Sequence, residues 1–458
     1  MSALGGTLFW PPMAVAADAR TTVVDGSGPP ARARLRDLPR GTLIILGAIL
    51  LAGLAVRVWG AAHPVVAPGP DADAYTSLAR SLYEDQAYGS SDWSPGLPLL
   101  ISAIYYVTGG EHTLIARVVI AGLGAVMVLF TFQIGRRVAG VAAGLVAAAL
   151  VATYPTYIEN TAQYLSEPLA AFLLAGGLLA MLWAADQPRL LAWALPGAAF
   201  GALILTRPEY QAIVVLLAGF ALWRVRRDAD LRRGVAAACI LLAVAGVVVA
   251  PWMVRNRIVL DKWVPVSTGG GKALFVATYL PGDGRQVPTK RELMRRFLAA
   301  KDPITTDELR AQSMTPLLDR VARKYPDMPR DEALGRIGKE NLRKYLSEDP
   351  LGYADMSFRK FLNVWERGSS PYMRDWGWVA YHRALLLAGI AGCFLLALAA
   401  RTRWEALLLA APIAAISVLG TILLAVPRRQ VPLMPVICVF AGALVVWVVA
   451  RVQARRAG

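Results

Sequence analysis

An all-α, polytopic membrane protein is the fold class this sequence predicts, on three observations. The chain is 56% hydrophobic, above the roughly 45–50% of ordinary globular chains. Its apolar residues gather in long blocks, each near the roughly 20 residues that cross a bilayer as a helix. Alternating strand patterning is absent, which argues against a barrel. The net charge of +16 would suggest nucleic acid in a soluble chain. Here much of the arginine lies in short segments between apolar blocks, where it orients spans and meets anionic headgroups. No nucleic-acid motif accompanies it.

About ten spans are expected, at 41–60, 114–135, 138–154, 166–184, 190–206, 209–225, 233–253, 379–400, 404–425 and 431–451. Residues 1–40 are rich in Ala, Pro, Gly and Arg without periodicity and read as a disordered cytoplasmic tail. The first apolar block runs about as long as a full span and has no clear small-residue cleavage site, so it reads as a retained helix. Arg32–Arg40, Arg136–Arg137, Arg224–Arg233, Arg401–Arg403 and Arg451–Arg456 alternate onto one side, which the positive-inside rule makes cytoplasmic. Both termini are then cytoplasmic.

The opposite side receives the 61–113 loop, the 155–165 turn, Arg207-Pro208-Glu209, the long 254–378 segment and Pro427-Arg428-Arg429. Ala74–Tyr83 is amphipathic and Leu97–Val107 apolar, as suits short helices on the membrane surface. Helical patterns recur near 289–300, 305–324, 331–346 and 352–366. The organisation is therefore a tail (1–40), an N-terminal transmembrane catalytic module (41–253) with the loop 61–113, an extracytoplasmic helical segment (254–378) and C-terminal membrane helices (379–458). Cys239, Cys393 and Cys438 fall within apolar blocks and read as small buried hydrophobes, with no disulfide framework. His63, His112 and His382 are too scattered to suggest a metal site.

The candidate chemistry sits at the outer ends of spans. Asp71 and Asp73 follow the first span in Pro70-Asp71-Ala72-Asp73-Ala74-Tyr75, where a carboxylate between bilayer and water can deprotonate a sugar hydroxyl. The plain alternative is helix capping, and Asp73 in particular is expected to cap Ala74–Tyr83. Glu167 lies at the mouth of the fourth span, where a carboxylate near hydrocarbon requires a cavity or a partner. Its plain alternative is a first-turn charge behind a Ser166 cap. Arg57, Arg117, Arg207, Arg255, Arg257, Arg428 and Arg429 also fall at or near outer ends. Positive-inside bias disfavours arginine there. Each alone can snorkel to lipid phosphates, but the set, on the face that holds Asp71, points to a ligand phosphate.

In order along the chain, the Pro70-Asp71…Tyr75 run, Ser94-Pro95-Gly96-Leu97-Pro98, Ser166-Glu167-Pro168-Leu169, Leu205-Thr206-Arg207-Pro208, Arg255-Asn256, Val264–Gly271 and Arg428–Pro435 resemble the ArnT/protein-O-mannosyltransferase-like (family 39-like) branch of the glycosyltransferase-C superfamily, over roughly residues 41–436. The resemblance implies transfer of a hexosyl or pentosyl group, with inversion, from a polyprenyl-phosphate donor to a lipid, glycan or protein acceptor on the non-cytoplasmic side, in the plasma membrane of a bacterium. It implies Asp71 as general base, Tyr75 as the tyrosine four residues on, Glu167 as a second acidic position, and Arg117 and Arg207 as basic positions, Arg117 near the donor phosphate. Two departures stand out: Ala72 replaces the acid that follows the first-loop aspartate, and Trp93-Ser94-Pro95 lacks the family's lysine.

The expected function is thus an inverting glycosyltransferase with Asp71, Glu167 and Asp73 as catalytic candidates and Tyr75, Arg117, Arg207, Arg255, Arg428 and Arg429 as substrate-binding ones. No cofactor is expected, because a lipid phosphate is already a good leaving group. Asp71, Asp73 and Glu167 nevertheless offer oxygen ligands to a divalent ion, which some relatives with lipid-pyrophosphate donors use. A transporter or flippase of lipid-linked sugars is the alternative, but it should place unusual charges at the midplane. A structural membrane subunit is a third reading, indifferent to loss of Asp71. The topology is tested by single cysteines at Pro303 and Asp228. In intact cells an impermeant thiol reagent is expected to label the first and spare the second, and the reverse pattern would refute the assignment of sides.

Overall fold

The computed structural model describes residues 35–63, 69–369 and 371–457. Most of the tail expected over 1–40 therefore lies outside the described residues. Within them all regular structure is helical, as expected. α1 (Arg40–Ala62) leads to α2 (Pro70–Glu84) and α3 (Gly96–Thr108), the two short helices of the first loop. α4 (Thr113–Ala139) is followed by α5 (Val141–Ala152) and α6 (Pro155–Ala162), a pair bent by 46°. α7 (Ser166–Ala184), α8 (Ala194–Thr206), α9 (Tyr210–Asp228) and α10 (Leu231–Leu260) complete the N-terminal bundle. α11 (Gly270–Thr278), α12 (Gln286–Leu298), α13 (Thr306–Ala311), α14 (Met314–Ala322), α15 (Arg330–Glu348) and α16 (Pro350–Trp365) form the long inserted segment. α17 (Trp376–Leu398), α18 (Arg403–Ile422) and α19 (Met434–Ala457) return through the bundle.

Among the described residues, seven helices are long and apolar enough to cross a membrane, or eight if α5 and α6 form one broken span. The ten expected spans are thus not all matched. α8 with its 3₁₀ lead-in covers only Leu190–Thr206, and α9 carries Arg224, Arg226, Arg227 and Asp228 towards its end. The bundle core brings α4, α5, α7 and α19 together around Phe132, Tyr154, Leu174 and Phe440. A separate core inside the inserted segment joins α11, α12, α14 and α15 through Phe275, Leu293, Leu317 and Leu334. Close approach explains one glycine of the Gly269-Gly270-Gly271 run. A Cβ on Gly271 would lie 1.7 Å from the Asp331 carbonyl oxygen. The Asp331 carboxylate accepts from the Gly271 and Lys272 amides, at 3.1 and 2.9 Å, and so caps α11 from a neighbouring helix.

Two fully buried cations share one cause. Pro155 has no N–H to return to the Val151 carbonyl, and Pro281 has none for Ala277. Val151 otherwise receives only a long 3.4 Å bond from Tyr154. Arg57 supplies the missing donor, from Nη2 to Val151 at 3.0 Å and from Nη1 to Ala152 at 2.9 Å. Lys360 does the same for Ala277, from Nζ at 3.0 Å. A buried carbonyl left unpaired costs about 1–3 kcal/mol, so each cation secures a chain break. Arg57, expected among the outer-end arginines facing a ligand phosphate, is instead buried inside the bundle and bonded to backbone.

Burial, with Arg429 adding to it, pushes the Lys360 ammonium down to about 8. An unfolded lysine titrates near 10.4. Folding therefore favours the neutral amine. The stability this group contributes is greatest above the unfolded value, falls as pH drops towards 8, and is constant below that. Raising pH from 7 to 9.5 is expected to lift the unfolding midpoint of wild type more than that of Lys360→Met. Parallel midpoint curves for the two proteins would refute this.

Candidate active site

The first loop delivers its acids by a helix start. Gly69 is extended, Pro70 takes the first helical position, where its missing N–H costs nothing, and Asp71 and Asp73 fill the first turn. No side chain caps α2, so Asp73 is not the cap expected of it. Both acids instead sit where the helix dipole favours negative charge. Four residues on, Tyr75 turns into the bundle and meets Trp93 edge to face, with ring centroids 5.1 Å apart. Burial pushes the Tyr75 hydroxyl up, with Ser166 opposing and Glu167 adding to the rise. It stays a neutral donor.

α7 begins at Ser166, and no side chain caps it, so Ser166 does not have the capping role expected of it. Glu167 in its first turn is 0% exposed. Its Oε1 accepts from Arg428 Nε at 2.6 Å and lies 3.2 Å from Arg207 Nη1, while Oε2 has no partner. Arg428 Nη1 also donates to the Asp71 carboxylate. Arg207 follows the last residue of α8 in extended conformation and donates from Nε to Glu209 at 2.9 Å. The result is a continuous line of charge, Asp71–Arg428–Glu167–Arg207–Glu209, drawn from four segments distant in sequence. Arg429, 9% exposed with Nη1 unpartnered, lies within electrostatic reach of Glu209. Glu209 was not among the expected site residues. The signal available was its place beside Arg207-Pro208 at an outer span end.

The structure gathers Asp71, Tyr75, Glu167, Arg207, Arg428 and Arg429 and leaves Asp73, Arg117 and Arg255 aside. Asp73 is exposed and outside the Arg428 contacts. Arg117 donates to the Ala61 carbonyl at 3.4 Å and lies over the Tyr164 ring. Arg255 donates to the Tyr88 carbonyl at 2.5 Å and sits over Tyr88 and Trp252. Both direct their hydrogen bonds to the frame of the site. Asn256 donates to the Val264 and Val266 carbonyls at 2.9 and 3.0 Å, and the Thr268 amide to the Ser91 carbonyl at 2.7 Å, so the chain after α10 is laced to the first loop. Among the described residues no group of three or more His, Cys, Asp or Glu is arranged to hold a metal ion.

The family model described as dolichyl-phosphate-mannose-protein mannosyltransferase matches residues 92–254. Comparison with curated protein sequences returns no match. Among solved structures, the archaeal oligosaccharyltransferase AglB from Archaeoglobus fulgidus, in complex with an inhibitory peptide and a dolichol-phosphate, aligns over 91% of this chain and 51% of its own, at 14% identity and TM-score 0.55. The apo form of the A. fulgidus enzyme aligns over the same shares at 15% identity and TM-score 0.57. ArnT from Cupriavidus metallidurans bound to undecaprenyl phosphate aligns at TM-score 0.40, over 89% of this chain and 77% of its own, at 15% identity. The chain spans about half the length of the oligosaccharyltransferase it matches. What the chain shares with the A. fulgidus oligosaccharyltransferase at this identity is its fold, and the long apolar helices make it an integral membrane protein. The resemblance to the ArnT/protein-mannosyltransferase-like branch, first read from the sequence, is found again in the family model.

Within that fold, the Ser94-Pro95-Gly96-Leu97-Pro98 motif has a packing role beside the charges. A Cβ on Gly96 would fall 2.7 Å from Thr206 Cα, immediately before Arg207. Gly96→Ala is therefore expected to force the α3 and α8 ends apart, costing about 1–3 kcal/mol and lowering activity through Arg207. An unfolding midpoint and specific activity equal to wild type would show that the contact does not position the site.

Proposed function

We propose that this protein is an inverting glycosyltransferase that moves a sugar from a polyprenyl monophosphate to a hydroxyl acceptor at the extracytoplasmic surface of a bacterial plasma membrane. The observation that carries the reading is the Asp71–Arg428–Glu167 bridge: a solvent-reachable carboxylate joined, through one guanidinium, to a fully buried one at the end of a helical bundle. The family model named for dolichyl-phosphate mannose, and the similarity to an oligosaccharyltransferase solved with dolichol-phosphate, support a lipid phosphate as carrier. The arginine distribution supports an outward-facing site. The acceptor is a lipid, glycan or protein.

The chemistry follows from the residues. Asp71 accepts the proton of the acceptor hydroxyl as its oxygen bonds to the anomeric carbon. The bond from that carbon to the phosphate oxygen breaks, and its electron pair leaves with the polyprenyl phosphate. Arg428, Arg207 and Arg429 present fixed positive charge to the leaving oxygen. A single displacement inverts the anomeric centre. Tyr75 and Glu167 hold the pieces in register, Tyr75 as a neutral hydrogen-bond donor and Glu167 as the anchor of two guanidiniums. The flippase alternative is weaker, because Arg57, the buried cation of the first span, is bonded to backbone carbonyls and lines no path.

Asp71→Asn is expected to lose about 100- to 10,000-fold in turnover with a polyprenyl-phosphate sugar while folding normally, since an amide keeps the shape but accepts no proton. The assay uses purified protein, radiolabelled donor and a lipid and cell-wall acceptor fraction. Wild-type turnover in the variant, or turnover from a soluble nucleotide sugar without lipid carrier, would refute the proposal.

A further inference from the structure

The carboxylate proposed as base is already engaged, and the two ends of the guanidinium that engages it sit in different surroundings. Arg428 holds Glu167 through Nε and Asp71 through Nη1. The Glu167 side chain is 0% exposed, whereas those of Asp71 and Arg428 are 39% and 32% exposed. A buried charge stripped of its partner is left uncompensated in a low dielectric, so the Glu167 contact is the firm one. An ion pair open to water gains little and is screened by salt, so the Asp71 contact is the one that yields. Arg207 Nη1, 3.2 Å from the same Glu167 oxygen, keeps that carboxylate neutralised while Arg428 changes partner on its outer side.

We propose that Arg428 is a latch on Asp71. The phosphate of the donor takes the guanidinium edge that Asp71 occupies, Glu167 keeps the Nε end in place, and Asp71 is thereby released to accept a proton. This rests on the glycosyl-transfer reading and adds an order of events to it, donor first and acceptor second. The exchange makes and breaks no covalent bond: one ion pair replaces another. The proton moves later, from the acceptor hydroxyl to Asp71, as the new glycosidic bond forms. The arrangement couples the presence of a leaving group to the availability of the base. Arg428 is then a positioning residue as well as a phosphate ligand, and the affinity of the carrier is set partly by competition with the protein's own carboxylate.

The competition makes a counterintuitive demand, which a double-mutant cycle tests. The readout is equilibrium binding of polyprenyl phosphate, without sugar, to the purified full-length chain. Asp71→Asn is expected to bind the lipid phosphate about three- to fivefold more tightly than wild type, the range of an exposed ion pair removed from competition. In an Arg428→Gln background the same substitution is expected to give no gain. Plain relief of charge repulsion would also tighten binding, but it would persist without Arg428 and be shared by Asp73→Asn. An equal gain in both backgrounds, or no gain in either, overturns the latch and leaves the glycosyl-transfer reading standing. Failure of the wild-type chain to bind polyprenyl phosphate overturns that reading and the latch with it. Unfolding midpoints accompany each variant. If Arg428→Gln does not fold, Arg428→Lys serves as the second background. A compact ammonium reaches one carboxylate without bridging two, so the Asp71→Asn gain is again expected to vanish, and its persistence overturns the latch.

Discussion

A carboxylate with no exposure to water cannot stay ionised unless cations meet it, and the outer end of this bundle is organised around that requirement. Glu167 draws Arg428 from the turn before α19 and Arg207 from the turn after α8, and Arg428 in turn reaches Asp71 at the start of α2. Four chain segments thereby close over one point. Removing a single partner from a buried charge typically costs several kcal/mol, more than the whole pair contributes relative to apolar residues. The line of charge therefore fixes geometry more than it adds stability. That is the expected use of buried charge at a site that must keep groups aligned at a membrane surface.

A second constraint is met in the same manner at two places away from the site. Prolines 155 and 281 withhold the N–H that would return to the buried Val151 and Ala277 carbonyls, and a long cationic side chain from a distant helix, Arg57 or Lys360, donates to each of them. The first repair preserves the bend between α5 and α6 that carries the chain towards Glu167. The second ties α11 to α16, which packs on the Pro427–Leu433 turn bearing Arg428 and Arg429. Both supports lead back to the same charged line.

The all-helical membrane fold was legible because apolar blocks of span length admit few other structures, and the observed α7 coincides with the expected span at 166–184. The helices of the inserted segment were legible too, near their expected places, because each carries an amphipathic pattern. α11 went unread: its nine residues open on Gly270 and Gly271 behind a Gly269 cap, and its start depends on Asp331, some sixty positions away. In the site, Asp71, Glu167 and Arg428 could be singled out, since charge at an outer span end is unusual. Their mutual contacts could not be, because nothing local couples positions 71, 167 and 428. The same limit applies to Arg57 and Arg255. Both read as phosphate ligands by position, yet their partners are carbonyls, and a carbonyl leaves no mark in a sequence. Capping by Asp73 and Ser166 failed for another reason. Pro70 had already begun α2 three residues earlier, and Leu165 occupies the cap of α7.

The balance of charge bears on what the site can receive. Asp71, Glu167 and Glu209 face Arg207, Arg428 and Arg429, so the cluster is formally neutral before any ligand arrives. A site built to hold a dianionic pyrophosphate without metal would carry surplus cation, and this one carries none. A monophosphate diester brings a single charge. It can be met by the exposed edge of Arg428 and by the unpartnered Nη1 of Arg429, provided one carboxylate gives way. Asp71 is the one that can, since it alone among the three acids stands at an open helix start, and on proton transfer from the acceptor it becomes neutral. In the proposed reaction the cluster would pass from neutral, through one excess negative charge with donor bound, to a state in which the departing phosphate's added charge is offset by the proton Asp71 has gained. The charge carried by Arg207, Arg428 and Arg429 stays fixed throughout, which is what electrostatic preorganisation at a developing anion requires.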